Sequence, residues 1–168
     1  EDDNQVNYMK TGISFADAVN TVSRMYAGEI QTPEFGEGLD YVLRYRKHDL
    51  YGIVNGIDYE EYDPATDDRI YANFDTEDLS GKTENKLRLQ EEMGLPQDED
   101  VPLLSIISRL VPQKGLDLIK EAIDDIMKED LQFVILGTGN QEYEEMFKEV
   151  ADKYPNKVAA NITYDVDL

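Results

Sequence analysis

Residues 101–139 read "VPLLSIISRLVPQKGLDLIKEAIDDIMKEDLQFVILGTG", and the order of patterns inside this stretch decides the fold. "VPLLSIIS" (Val101–Ser108) is a continuous apolar run of strand length. "GLDLIKEAIDDIMKED" then sets Leu116, Ile119, Ile123, Ile126 and Met127 three or four residues apart or adjacent, on one face of a helix. "LQFVILG" (Leu131–Gly137) is a second apolar run. "NQEYEEMFKEVADKYP" gathers Tyr143, Met146, Phe147 and Val150 on one helical face, and "KVAANITY" (Lys157–Tyr164) is a third strand signal. Strands that are apolar throughout belong to parallel sheets covered on both faces. The pattern is therefore β-α-β-α-β in the α/β class, a Rossmann-like half-domain with three of the strands a doubly wound sheet needs.

The signals before residue 99 are shorter. "AVNTVS" (Ala18–Ser23) reads as a buried strand and "SRMYAGEIQ" as a short helix. In "FGEGLDYVLRYRKH", Leu39, Val42 and Leu43 keep helical spacing, and "LYGIVNGID" (Leu50–Asp58) is a strand run closed by the turn pair Asn55-Gly56. Residues 58–82 have no period, many acids and many turn formers. So long an irregular connection suits a chain crossing between two domains. "TENKLRLQEEMGLP" is a helix with Leu87 as its apolar anchor, stopped by Gly94 and Pro96.

Composition narrows the chemistry. The 168 residues include 16 basic and 37 acidic side chains, for a formal net charge of −21. Nucleic-acid binding needs clustered Lys and Arg, and so does attraction to an anionic membrane surface. Neither fits this balance. No run reaches the ~18–20 apolar residues of a membrane span, and no signal peptide is visible at the start. There is no cysteine and only one histidine, His48, so thiolate chemistry and His-rich metal sites are out of reach. His48 reads as an exposed residue near a helix end. The pairs Glu60-Glu61, Glu91-Glu92 and Glu144-Glu145 read as solvated faces.

Against this acidity, Leu103–Leu116 ("LLSIISRLVPQKGL") contains Arg109 and Lys114 and no acid. Ligands of open parallel sheets bind beyond the carboxyl ends of the strands. Three features fall at such ends: Arg109 and Lys114, the Gly137-Thr138-Gly139 turn, and Thr163-Tyr164. Two cations flanking a helix N-terminus favour an anion, and a diphosphate suits two charges better than a lone carboxylate does. Gly137 and Gly139 allow close backbone approach, and Tyr164 offers a flat face for a base. A solvated loop and a tight βα turn are the plainer readings of the same residues.

In order along the chain, "ADAVNTVSRMYAGEI", "GIVNGIDYEEYDPATD", "ENKLRLQEEMGLP", "SRLVPQKGLDLI", "LGTGNQEYEE" and "YP…ITY" resemble bacterial glycogen synthases and plant starch synthases. The resemblance runs from about Lys10 to Tyr164. It implies a GT-B glycosyltransferase that moves glucose from ADP-glucose to the non-reducing end of an α-1,4-glucan with retention, with no metal or other cofactor. It also implies an internal fragment. Residues 1–50 would be the tail of the N-terminal, acceptor-side domain. Residues 51–168 would be the crossing and the first half of the nucleotide-sugar-binding domain.

By the same resemblance, Arg109 and Lys114 would grip the donor diphosphate and stabilise the departing ADP. Asn55 would lie near sugar and phosphates, Gly137, Thr138 and Gly139 under the nucleotide, and Tyr164 against adenine. Arg24 stands where the family has Pro, and Thr163 where it has Gly. "KTG" at Lys10–Gly12 is expected to lie in an ordinary helix leading into a strand, not in a donor loop. The isolated chain is expected to be inactive and to self-associate or swap through an exposed sheet edge. A cytoplasmic protein is expected, plastidial in a plant. Two alternatives stay open: a UDP-glucose-dependent enzyme of the same fold, and a non-catalytic nucleotide-binding module.

Overall fold

The computed structural model describes residues 6–164. Two compact units divide the chain, Glu1–Tyr59 and Glu60–Leu168.

The first unit opens with α1 (Tyr8–Phe15), whose N-cap Asn7 accepts from the Lys10 N–H at 2.9 Å. Lys10–Gly12 is thus interior to a helix that runs into a strand, as expected. The strand β1 (Val19–Thr21) pairs in parallel with β2 (Leu50–Gly52). Between them lie α2 (Arg24–Glu29), capped by the Ser23 hydroxyl at 3.0 Å, and α3 (Asp40–Tyr45), which buries Val42 and Leu43. Arg24 is the first helical residue, the position where Pro is most favoured, and it is exposed. Arg46 closes the unit. It donates to the Ile13, Ser14 and Ala16 carbonyls at 2.8, 2.8 and 2.6 Å, at a helix end whose last carbonyls have no partner inside the helix.

The strand expected over Leu50–Asp58 stops at Gly52. A strand needs a partner, and β1 ends at Thr21 because Ser23 already caps α2. Gly52 packs on that cap so closely that a Cβ would collide with the Ser23 carbonyl. The Ile53 N–H makes the last bond to β1, to the Thr21 carbonyl at 2.8 Å, and Ile53, Val54 and Ile57 all stay exposed.

The second unit runs α4 (Ser80–Glu92), β3 (Leu103–Ile107), a 3₁₀ turn at Pro112–Lys114, α5 (Leu116–Ile126), β4 (Gln132–Leu136), α6 (Gln141–Lys153) and β5 (Val158–Asn161). The sheet order is β3-β4-β5, all parallel, with Leu103 opposite Gln132 and Phe133 opposite Val158. The β-α-β-α-β reading of residues 101–164 is what the chain adopts. All five β4 residues are buried, while β3 leaves Leu104 45% and Ile107 68% exposed. Cover on both faces therefore holds for β4, the strand flanked on both sides, and not for β3. The core joins Leu116 and Met127 around α5 to Tyr143, Phe147 and Val150 of α6 across the β4 and β5 side chains. The Phe147 ring meets the Phe133 ring edge-on at 6.3 Å, and burying each ring contributes ~1.5–3 kcal/mol.

Leu87 is not the anchor of α4. It is half-buried, whereas Gln90 is fully buried. Gln90 donates to the Asp98 carbonyl at 2.9 Å and to Gln132 at 2.7 Å, and accepts from the Asp98 N–H at 2.9 Å. A polar anchor is stable here because every buried group is paired. The irregular residues 60–79 are pinned to the same helix. Asn85 accepts from the Tyr71 N–H at 2.8 Å and donates to the Ala72 carbonyl at 2.6 Å, while Gly81 leaves no room for a Cβ against the Asn73 carbonyl. Among the described residues no helix is long and apolar enough to cross a membrane.

Candidate functional site

The turns leaving β3 and β4 interlock. Leu110 donates its N–H to the Thr138 carbonyl at 2.9 Å and accepts from the Asn140 N–H at 2.8 Å, forming a parallel bridge with Gly139. The approach is so close that a Cβ on Gly137 would collide with the Ser108 carbonyl, and one on Gly139 with the Leu110 carbonyl. Gly137 also has φ 152°. Both glycines therefore serve first to let one turn pass under the other.

This packing consumes most backbone donors of the two turns. Ser108 donates to Leu136 at 3.2 Å, Gly137 to Asn161 at 3.2 Å, and Gly139 to the Glu144 carboxylate at 2.8 Å. The N–H groups of Arg109 and Thr138 have no acceptor among the described residues. Both residues are exposed, so these two N–H groups are open to solvent or to a ligand.

Arg109, Gly137, Thr138, Thr163 and Tyr164 line a cavity of about 230 Å³ together with apolar surface from Ile107 and Leu136. That is below the ~300–1,000 Å³ typical of a small-molecule pocket. The convergence of strand ends anticipated from the sequence is thus realised for Arg109, Gly137, Thr138 and Tyr164. Gly139 lies just behind the wall, on Leu110. Lys114 ends the 3₁₀ turn, exposed and outside the lining, and Gly115 at φ 70° turns the chain into α5. Asn55 belongs to the first unit, exposed in the irregular stretch after β2.

The electrostatics single out the same rim. Among the described residues Arg109 and Lys114 have no ion pair and no side-chain hydrogen bond. Of the other cations in residues 60–164, Arg69, Arg88, Lys120, Lys128 and Lys153 pair with carboxylates. Lys86 and Lys157 bind carbonyls, and Lys82 lies over the Phe74 ring. Lys148 alone joins the first two. In a chain this acidic, Arg109 stands without an ion pair at the cavity, and Lys114 stands without one outside it. Among the described residues no group of three His, Asp or Glu side chains is arranged to hold a metal ion.

Known proteins share this arrangement of sequence. Residues 1–45 match the family described as the starch synthase catalytic domain, and residues 89–167 match group 1 glycosyl transferases. The chain is 55% identical over 164 residues to a glycogen synthase of Thermosipho africanus and 56% identical to one of Thermotoga maritima, each alignment covering 98% of this chain and 34% of the relative. The catalytic domain of starch synthase IV from Arabidopsis thaliana, solved bound to ADP and acarbose, superposes with a TM-score of 0.89 at 38% identity. That match covers 96% of this chain and 34% of the plant chain. The chain is similar to a segment of the glycogen and starch synthases. It spans about a third of the length of the curated relatives it matches, and its second unit has the α/β architecture of a GT-B half-domain.

Two features of this segment are not visible in its sequence. Glu144 was grouped with Glu145 as a solvated face, yet it is half-buried and its carboxylate holds the Gly139 N–H. Its only signal is indirect. Asn140 starts α6 without a side-chain cap, and an acid in the first turn after a Gly-rich stretch is a frequent substitute. The unpaired Arg109 and Thr138 N–H groups had no signal, because they are defined by contacts between turns 28 or more positions apart.

Proposed function

We propose that this chain carries part of the donor site of an ADP-glucose-dependent glucosyltransferase. The whole protein would transfer glucose to the non-reducing 4-hydroxyl of an α-1,4-glucan with retention of configuration. The observation that carries the reading is the cavity where the unpaired Arg109 guanidinium, the Arg109 and Thr138 N–H groups and the exposed Tyr164 ring meet. A plant starch synthase solved with ADP shares the fold of this segment, which supports adenine and diphosphate as the groups received.

In this reading Arg109 and the two N–H groups take the diphosphate, Lys114 adds a second positive charge from outside the cavity, and Tyr164 stacks on adenine. Gly137, Thr138 and Gly139 form the turn beneath the nucleotide, and Asn55 keeps the donor-site role that its place in "NGID" suggests. As the glycosidic bond breaks, negative charge grows on the leaving ADP. Fixed donors aimed at that charge lower the barrier without reorganising. The reading carries a cytoplasmic location.

Titration of ADP into the chain, beside Arg109→Ala and Lys114→Ala, tests it. Weak binding that both substitutions reduce supports the diphosphate assignment, and binding indifferent to both removes it. The 168-residue chain, a third of the length of its relatives, is expected not to elongate glucan from ADP-glucose. Incorporation of labelled glucose by the purified chain would contradict this.

A further inference from the structure

We infer that Glu144 is a positioning residue for the nucleotide turn, acting through its hydrogen bond to the Gly139 N–H rather than through its charge. The inference rests on the donor-site reading above and deepens it.

The geometry is specific. Gly139 has its carbonyl side against Leu110 and its N–H against Glu144 Oε1 at 2.8 Å. On either side, the Thr138 carbonyl and the Asn140 N–H are taken by Leu110 at 2.9 and 2.8 Å. Gly139 has no Cβ to restrict its own backbone angles, so the bond from the Leu110 N–H to the Thr138 carbonyl is the main restraint on the peptide that carries the Gly139 N–H. Leu110 holds the turn from one side only. Glu144 supplies the second hold, from one turn inside α6, and fixes which way the 138–139 segment faces.

With Gly139 N–H committed to Glu144, Thr138 N–H is the donor left pointing at no protein acceptor, and Thr138 is the residue that lines the cavity. Without Glu144, the Gly139 N–H loses its acceptor, and the turn is free to exchange one donor for the other. The choice of donor beneath a ligand phosphate is thereby made by a side chain that does not line the cavity.

The carboxylate charge works against the same ligand, since it sits at the first turn of α6 near an anion site. A role through charge and a role through the hydrogen bond therefore make opposite forecasts for Glu144→Gln. The amide keeps an acceptor oxygen at the same reach and removes the charge.

The test uses the 168-residue chain with two readouts: backbone amide resonances of Arg109, Thr138 and Gly139, and ADP affinity by calorimetry. E144Q is expected to keep the three resonances near their wild-type positions and to bind ADP at least as tightly as wild type. E144A is expected to shift all three and to weaken ADP about fivefold, the worth of one hydrogen bond. Where E144A does not fold, Glu144→Asp, one methylene too short, replaces it with the same expectation. The inference is overturned if E144A or E144D leaves the Thr138 and Arg109 amides in place, or if E144Q shifts them as far as the truncation does. If wild-type chain binds no ADP, the donor-site reading fails, while the amide resonances still decide whether Glu144 sets the turn.

Discussion

Gln90 Nε2 donates to Gln132 Oε1 at 2.7 Å inside the second unit, with both side chains all but sealed from water. The pair joins α4 to the first residue of β4, and Gln132 passes the connection on to the Pro96 carbonyl at 2.7 Å. No buried side-chain polar atom is left unpaired among the described residues. Gln90→Leu deprives the Asp98 N–H and carbonyl of their shared partner and Gln132 of its donor. We expect a loss of about 2–3 kcal/mol in urea unfolding. The double substitution with Gln132→Leu should fall short of the summed single losses by about 1 kcal/mol, because the two share one network. A Gln90→Leu loss under half a kilocalorie would mean the network contributes little.

Gly139→Ala forces a Cβ into the Leu110 carbonyl, and neither backbone can yield without breaking the Leu110–Gly139 bridge. The expected cost is about 2–3 kcal/mol, as for overpacking in a tight interior, with loss of any ADP binding. Gly12→Ala is the matched control. It lies in α1 with open space around it, and should stabilise by up to about 1 kcal/mol. Denaturation midpoints of the two variants should move in opposite directions.

Arg109 lines the cavity and Lys114 does not, so their alanine variants should differ. Arg109→Ala removes a charge-assisted hydrogen-bond donor and should weaken ADP by about tenfold or more. Lys114→Ala acts across solvent and should weaken it about two- to threefold, an effect that fades as salt is raised to ~0.5 M. Calorimetric titrations at two ionic strengths check both. Equal losses that persist in high salt would put Lys114 in direct contact with the ligand.

Three groups around residues 67–92 set expectations for pH. The Arg69 guanidinium and N–H hold the Asp67 carboxyl below its ordinary value, and the Ser80 N–H does the same for Asp78. A depressed folded value favours the folded state above the ordinary value of about 3.9, and that advantage goes as pH falls through the depressed value. Tyr71 is raised by its hydrogen bond to Glu92. Its contribution is present below about pH 10 and goes as pH climbs through the raised value. Carbon-detected NMR titration should find both aspartates titrating below 3.9, roughly, and Arg69→Ala, which keeps the backbone N–H bond, should move Asp67 up toward the ordinary range. An ordinary Asp67 value in the wild type would remove the argument.

β3 pairs only with β4 among the described residues and leaves Leu104 and Ile107 largely exposed. Unpaired strand edges with apolar neighbours recruit further strands. Self-association at tens of micromolar is expected in sedimentation, and Ile107→Lys should reduce it. A wild-type monomer under those conditions speaks against an accessible edge.

The second unit was legible because its strands are uninterrupted apolar runs and its helices keep a 3.6 period, signals carried within each segment. The first unit was less so. Ile53, Val54 and Ile57 look like strand residues, but pairing depends on how long β1 is, and Ser23 sets that from thirty positions away. Gln90 was missed as an anchor because its burial depends on a partner at residue 132. At the site, the glycines were visible as a turn, but their use was not: the atoms they make room for belong to Ser108 and Leu110. Residue type revealed Arg109 and Tyr164, while the acceptor-free N–H groups exist only as a remainder once every other donor has been placed.

The interlocked turns after β3 and β4 have a thermodynamic corollary. A ligand resting on Arg109 and Thr138 requires both turns in place, so it binds the closed sheet and not the open one. Bound ligand then adds to the stability of the β3–β4 ladder by mass action, about 2.7 kcal/mol at a hundredfold excess over Kd. On the donor-site reading proposed above, heat resistance of this segment would follow the nucleotide concentration, and the ligand would protect the sheet that receives it.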